Sequence, residues 1–139
     1  MKFWDTSALV PLLLPEGDSA QRVAQLREDP VMAVWWATQI ECESALERRL
    51  REKSLSAGQA RAARVRLGEL ASHWHEVLPG ASLRLLSIRL LRTHPLRAAD
   101  ALQLAAALTL AQAGVPGMAF LTADEELLAS AENEGLACL

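Results

Sequence analysis

Short apolar runs alternate along this chain with longer stretches in which apolar residues recur every three or four positions, the pattern of strands alternating with amphipathic helices. Lys2-Phe3-Trp4 is an apolar run stopped by Asp5 and predicts a strand. Thr6 to Leu14 predicts a short helix closed by Pro15 and Gly17. Asp18 or Ser19 can cap a second helix running to about Glu28, and Asp29-Pro30 turns the chain. Val31 to Trp36, rich in Val and Trp, predicts a second strand. Thr38 caps a long helix, roughly Gln39 to Lys53, and Ser56 caps another, roughly Ala57 to His75. The latter carries Val65, Leu67 and Leu70 on an apolar side and Arg61, Arg64 and Glu69 on a polar one, so the two helices can form an αα-hairpin. Glu76-Val77-Leu78 predicts a short strand, and Ser82 to Thr93 a helix with Arg84, Arg89 and Arg92 facing water. Beyond Pro95, Arg97 to Ala113 predicts the next helix, stopped by Gly114 and Pro116. Gly117 to Thr122 predicts a strand, Asp124 to Glu134 a helix ending at Gly135, and Leu136 to Leu139 a last strand.

This alternation predicts a single α/β domain, 1–139, in three α/β/α layers around a mainly parallel sheet of four to five short strands. In such sheets, sites gather beyond the carboxyl ends of the strands. A chain of 139 residues suffices for one core without disulfides. Cys42 and Cys138, far apart, read as core thiols of a reducing compartment. No signal-like start or membrane-length apolar run is seen, so a cytoplasmic protein without membrane contact is expected. The net charge of −3 does not suggest a nucleic-acid binder, but 11 of the 14 basic groups fall in residues 41–100, and residues 101–139 hold none. Such a division lets arginines hold a polyanion while carboxylates hold a metal. It also follows from amphipathic helices that simply expose arginine.

Four acids stand where elements begin or end. Asp5 directly follows the first strand, as a site acid or as the cap of the next helix, where Thr6 and Ser7 are alternative caps. Asp124 follows the strand ending at Thr122, on the same edge of the sheet; Thr122 and Glu125 have capping-box spacing, with Asp124 in the first turn. Asp100 lies in Ala98-Ala99-Asp100-Ala101-Leu102-Gln103-Leu104-Ala105-Ala106-Ala107-Leu108, a helix apolar almost all round, where a carboxylate is costly unless paired or bound to a cation. An ion pair with Arg97 is the plain alternative, and Gln103 shares the face of Asp100. Glu41 and Glu43 point about 200° apart on their helix, so one at most faces a given site. Glu43 continues into Glu47 and Arg51 as an exposed ion-pair row, which leaves Glu41 as the inward acid, with Glu43 as its possible substitute. Carboxylates gathered without lysine repel one another, and a hard divalent cation such as Mg²⁺ resolves the repulsion. With such an ion the cluster can hydrolyse a phosphodiester through metal-activated water.

At this point the sequence resembles the PIN domain, in particular the VapC-type toxin ribonucleases of prokaryotic toxin–antitoxin pairs. The likeness rests on Asp5-Thr6-Ser7-Ala8-Leu9, on Thr38 to Arg48 with Glu41, Ser44, Ala45 and Leu46, on Leu96 to Ala105 around Asp100, and on Phe120-Leu121-Thr122-Ala123-Asp124 with Gly135-Leu136. It implies that Asp5, Glu41, Asp100 and Asp124 are catalytic and bind Mg²⁺ or Mn²⁺, with Thr6, Ser7 and Thr122 supporting them. It further implies endonucleolytic cleavage of RNA, a homodimer, and a cognate antitoxin partner through which alone DNA would be contacted. Where the family usually has His after the leucine of the third motif, this chain has Gln103. A PIN nuclease of RNA processing without an antitoxin fits the same motifs.

The remaining chemistry-bearing residues read more plainly. His73 and His75, two apart, do not share a helix face and have no third ligand nearby. Trp4, Trp35, Trp36 and Trp74 read as core or dimer-interface anchors, and Arg48, Arg49, Arg51 and Lys53 as a solvated face or as phosphate or antitoxin contacts. An aspartyl phosphatase or phospho-receiver wants a lysine at a later strand end, and only Lys2 and Lys53 exist. A metal-free domain that merely holds RNA or protein is disfavoured, because acids repel phosphate.

Overall fold

The computed structural model describes every residue except Glu16 and Pro116. The predicted stop at Pro116 therefore lies outside the described residues. The chain runs β1 (Lys2–Trp4), α1 (Thr6–Leu13), α2 (Ser19–Glu28), β2 (Met32–Trp35), α3 (Thr38–Arg51) and α4 (Ala57–Ala71). It continues through β3 (His75–Val77), α5 (Ala81–Thr93), α6 (Ala98–Gln112), β4 (Ala119–Leu121), α7 (Glu125–Asn133) and β5 (Ala137–Cys138). The strands form one five-stranded sheet in the order β3-β2-β1-β4-β5, every neighbouring pair parallel. This is the expected three-layer arrangement.

Alternation along the strands divides the core in two. Trp4, Met32, Val34 and Leu121 point to one face and pack with α1, α3 and α4. Phe3, Ala33, Trp35 and Phe120 point to the other and pack with α5, α6 and α7. Helix α6 is buried on most sides because its Ala-rich surface lets neighbouring backbones approach closely. No helix among the described residues is long and apolar enough to cross a membrane.

Several local expectations change. The fourth helix ends at Ala71, not near His75, because His75–Val77 pairs in parallel with Ala33–Trp35 and takes that backbone into the sheet. Val65, expected on its apolar side, is 61% exposed, whereas Leu67 is buried. Thr38 is not a side-chain cap but the first residue of α3, fully buried. Ser56 does cap α4, completing a capping box with Gln59. Trp4 and Trp35 are core residues, Trp74 packs against the core edge, and Trp36 is exposed.

The sheet order sets the location of a site. From β1, the chain builds outward first to β2 and β3, then crosses to β4 and β5 on the other side. A crevice opens at the carboxyl ends of adjacent strands where the winding reverses, here β1 and β4. Asp5 follows β1, and Thr122 and Asp124 follow β4.

Candidate active site

A cavity of about 670 Å³ occupies this crevice, and Asp5, Glu41, Asp100 and Asp124 all line it. The four acids come from four elements. Asp5 is the N-cap of α1, Glu41 lies in the first turn of α3, Asp100 in the first turn of α6, and Asp124 is the N-cap of α7. Four helix N-termini thus converge on one cavity, each with the partial positive charge that favours an anion. Capping and site lining are compatible roles at Asp5 and Asp124.

Asp5 is held most tightly. It is 5% exposed, and its Oδ2 accepts hydrogen bonds from the Ser7 amide (3.1 Å), the Ser7 hydroxyl (2.5 Å) and the Thr122 hydroxyl (3.0 Å). Ser7 Oγ in turn accepts from the Ala123 amide at 2.8 Å, tying α1 to the β4 exit. Burial pushes the Asp5 carboxyl above its ordinary range, the Ser7 and Thr122 bonds oppose that shift, and the nearby Glu41 adds to it.

The alternative caps change places with expectation. Asp5 itself, not Thr6 or Ser7, caps α1, its side chain accepting from the Ser7 amide of the first turn. Asp124 Oδ1 accepts from the Leu127 amide at 2.8 Å, while the Thr122 hydroxyl oxygen accepts from the Asp124 amide at 3.0 Å. Asp124 therefore caps α7 where Thr122 was expected to. Asp100 does not need the Arg97 guanidinium; its Oδ2 accepts from the Arg97 backbone amide at 3.1 Å. Helical phase separates Glu41 from Glu43 as expected, but the partner of Glu43 and Glu47 is Arg64 of α4 rather than Arg51. Glu41 Oε2 accepts from the Thr6 hydroxyl at 2.5 Å and from the Gln103 amide at 2.8 Å.

One regularity runs through the set. Each acid takes its hydrogen bonds on a single oxygen: Oδ2 of Asp5, Oε2 of Glu41, Oδ2 of Asp100 and Oδ1 of Asp124. Among the described residues, the second oxygen of each makes no hydrogen bond. Among the described residues the lining holds no imidazole or thiol, and oxygen donors of this kind suit a hard divalent cation. Among the described residues, no three metal-ligating side chains are gathered closely enough to enclose one ion, so the acids line the cavity without closing on a point. Arg48 and Arg49 line the same cavity two turns along α3 from Glu41.

Two groups escaped the sequence reading. Arg22 of α2 is buried, and its Nη2 donates to the Thr122 carbonyl at 3.0 Å while Nε reaches Asp18 and Nη1 reaches Gln25. Nothing in the polar pattern of α2 marks it. Thr38 accepts from Gln103 at 3.2 Å, a contact whose only sequence signal is that Gln103 shares a helix face with Asp100. His73 and His75 are exposed and do not line the cavity. Cys42 is buried and its thiol is pushed up to about 12, chiefly by burial, as befits a core thiol.

An all-parallel α/β sheet with an acid-lined crevice at its switch point is the class of protein that fold and site define together. The chain belongs to the PIN domain family, whose sequence profile matches residues 2–133. No curated protein matches it in sequence. Among solved structures it is similar to PAE2754 from Pyrobaculum aerophilum, with a TM-score of 0.66 and 23% identity over 99% of this chain and 87% of that one. It is similar to VapC20 from Mycobacterium tuberculosis, a sarcin-ricin loop cleaving toxin, with a TM-score of 0.71 and 17% identity over 99% of this chain and 97% of that one. It is also similar to VapBC2 from Rickettsia felis bound to a promoter DNA fragment, with a TM-score of 0.66 and 12% identity over 99% and 96% of the respective chains. At these identities the likeness is one of fold.

Proposed function

We propose that this chain is a divalent-metal-dependent endoribonuclease and the toxin of a toxin–antitoxin pair. The observation that carries the catalytic half is the convergence of four carboxylates from four elements on one cavity, each bonded, among the described residues, through one oxygen. Asp5, Glu41, Asp100 and Asp124 would hold Mg²⁺, or Mn²⁺ in its place. When bound, the ion supplies a water acidic enough to attack phosphorus and offsets the charge on the phosphoryl oxygens. The chain's own residues do the rest. Ser7 and Thr122 fix Asp5, and Thr6 fixes Glu41, so the acids are oriented before substrate arrives. Arg48 and Arg49 give the RNA backbone a cationic approach that the acids alone would repel.

The toxin half is supported by membership of the PIN family and by the kinship in fold with VapC20 and with VapBC2, a toxin–antitoxin complex. On this reading the protein works in the cytoplasm as a homodimer, a cognate antitoxin silences it, and DNA is met only through that antitoxin. The test is cleavage of RNA by purified protein with Mg²⁺, with EDTA, and as Asp5→Asn and Asp100→Asn. Cleavage is expected to require the metal and to fall by about 100-fold or more in each variant, the scale on which removing one transition-state-stabilising group acts. Activity that survives EDTA and both substitutions overturns the reading. A neighbouring short gene whose product blocks cleavage supports the toxin half, and a solitary gene counts against it.

A further inference from the structure

Gln103 lies one turn beyond Asp100 on α6, is 1% exposed, and is the hub of a hydrogen-bond network joining three helices. Its Nε2 lies 2.8 Å from Glu41 Oε2, 3.0 Å from Thr6 Oγ1 and 3.2 Å from Thr38 Oγ1. The proton directions are consistent. Thr6 gives its own hydroxyl proton to Glu41, so its oxygen is left to accept from the amide. A primary amide has two N–H bonds, which the three acceptors share.

The other end of the same side chain is unusual. Gln103 Oε1 is buried with no hydrogen-bond partner; among the described residues the only other such side-chain atoms are the indole nitrogens of Trp4 and Trp35. A buried carbonyl without a partner is destabilising. Turning the amide over would give that carbonyl the Thr6 and Thr38 hydroxyls as neighbours, but it would also face the oxygen to the Glu41 carboxylate. The orientation with two N–H bonds toward Glu41 and its hydroxyl neighbours is held at the expense of the carbonyl.

We propose that Gln103 is a positioning residue of the acidic site: through Glu41 Oε2 and Thr6 it fixes where Glu41 stands relative to Asp100 on its own helix, and so sets the affinity for a divalent ion that it does not itself touch. The inference rests on the metal-site reading of the four acids. Groups that orient metal ligands from behind are worth roughly 10–100-fold in affinity.

The experiment is Mn²⁺ binding, by titration calorimetry and by the electron paramagnetic resonance of free Mn²⁺, on RNA-free protein. The chains compared are the wild type, Gln103→Met, Gln103→His, Glu41→Gln, Asp5→Asn and the double variant Glu41→Gln/Gln103→Met. Gln103→Met keeps the shape and removes the donors, and is expected to weaken Mn²⁺ binding about 10-fold while retaining the far-ultraviolet dichroism of the fold. Gln103→His returns a ring N–H and is expected to recover part of the loss. In the Glu41→Gln background Gln103→Met is expected to add no further loss, since its effect passes through Glu41. If Gln103→Met does not fold, Thr6→Val breaks the same bridge and is expected to weaken binding in the same sense. Wild-type affinity in Gln103→Met, or an undiminished loss in the Glu41→Gln background, overturns the inference and leaves the metal site standing. A wild-type chain that binds no Mn²⁺, with Asp5→Asn indistinguishable from it, overturns the site itself and the inference with it.

Discussion

Asp5 carries two opposed physical demands. Its carboxylate is taken out of water at the end of β1, which raises its pKa, and the hydroxyls of Ser7 and Thr122 recover only part of that cost. A carboxyl whose pKa is raised by folding favours the folded state when protonated and opposes it when ionised. The stability of metal-free protein is therefore expected to fall as pH rises through the range between the unfolded and folded values of Asp5. The same balance predicts the effect of Asp5→Asn. All three donors point at one oxygen, so the amide carbonyl can take them and the NH₂ replaces the unbonded oxygen. Without metal, Asp5→Asn is expected to stabilise the fold by about 1 kcal/mol, read as a higher denaturant midpoint at neutral pH. Adding Mg²⁺ is expected to raise the melting temperature of the wild type and not of the variant. A lower midpoint for Asp5→Asn would mean that the hydrogen-bond frame, not desolvation, dominates at this position. At this scale the acids themselves were legible, because each is a charge at an element end or in an apolar helix. Arg22 and the network of Gln103 were not, since each depends on a group about a hundred or sixty positions away that no local pattern reveals.

Helices α5 and α7, which cover one face of the sheet, are joined at their carboxyl ends by a single acid. Glu134 accepts from Nη1 and Nη2 of Arg89, at 2.8 and 2.6 Å, and lies 2.7 Å from His94 Nε2. Arg89 first, and His94 after it, hold the Glu134 carboxyl down at about 2 against an ordinary 4.5. A depressed carboxyl contributes stability that is present above its unfolded value and lost as pH falls toward the folded one. The wild type is thus expected to lose thermal stability between about pH 5 and pH 2, and Glu134→Gln to start lower and lose less over that range, which melting curves across the pH series will show. Equal slopes in the two chains would remove the link from the account of how α7 is held. Element boundaries were legible where capping chemistry is local, as at Ser56 with Gln59, or where glycine takes a positive φ, as at Gly114 (83°) and Gly135 (86°). They were not legible at the end of α4. Ser72, His73 and Trp74 contain no helix breaker, so the strand expected at Glu76 to Leu78 was legible but its start at His75, set by pairing with β2, was not.

The sheet order brings the acids together; no local motif does so, because Asp5 and Asp124 become neighbours only when β4 pairs beside β1 and leaves β2 on the far side. Parallel winding was predictable from alternating strands and helices, and with it the carboxyl edge where sites gather, whereas the switch point needed the strand order itself. In the single chain the outer face of α5 is apolar and exposed. Its inner residues Leu83, Ser87 and Leu90 are buried, while Leu85, Ile88 and Leu91, spaced three apart along one shallow ridge, remain 69%, 40% and 42% exposed. Leu78, in the segment leading into this helix, is 65% exposed. Single exposed apolar residues need no explanation, but a row of three large ones on a helix beside a further leucine does. A second copy of the chain is the partner that the proposed homodimer supplies. Sedimentation equilibrium of the wild type is then expected to give a dimer. A Leu85→Glu/Ile88→Glu variant would place two carboxylates in an apolar interface with no partner, a cost of several kcal/mol. Its association is expected to weaken by more than about 100-fold, since each 1.4 kcal/mol is a factor of ten. Because both positions face water in the single chain, the variant monomer is expected to retain the far-ultraviolet dichroism of the fold. A wild type that stays monomeric through the micromolar range, or a variant that dimerises as well as the wild type, would show that this ridge is not where two copies meet.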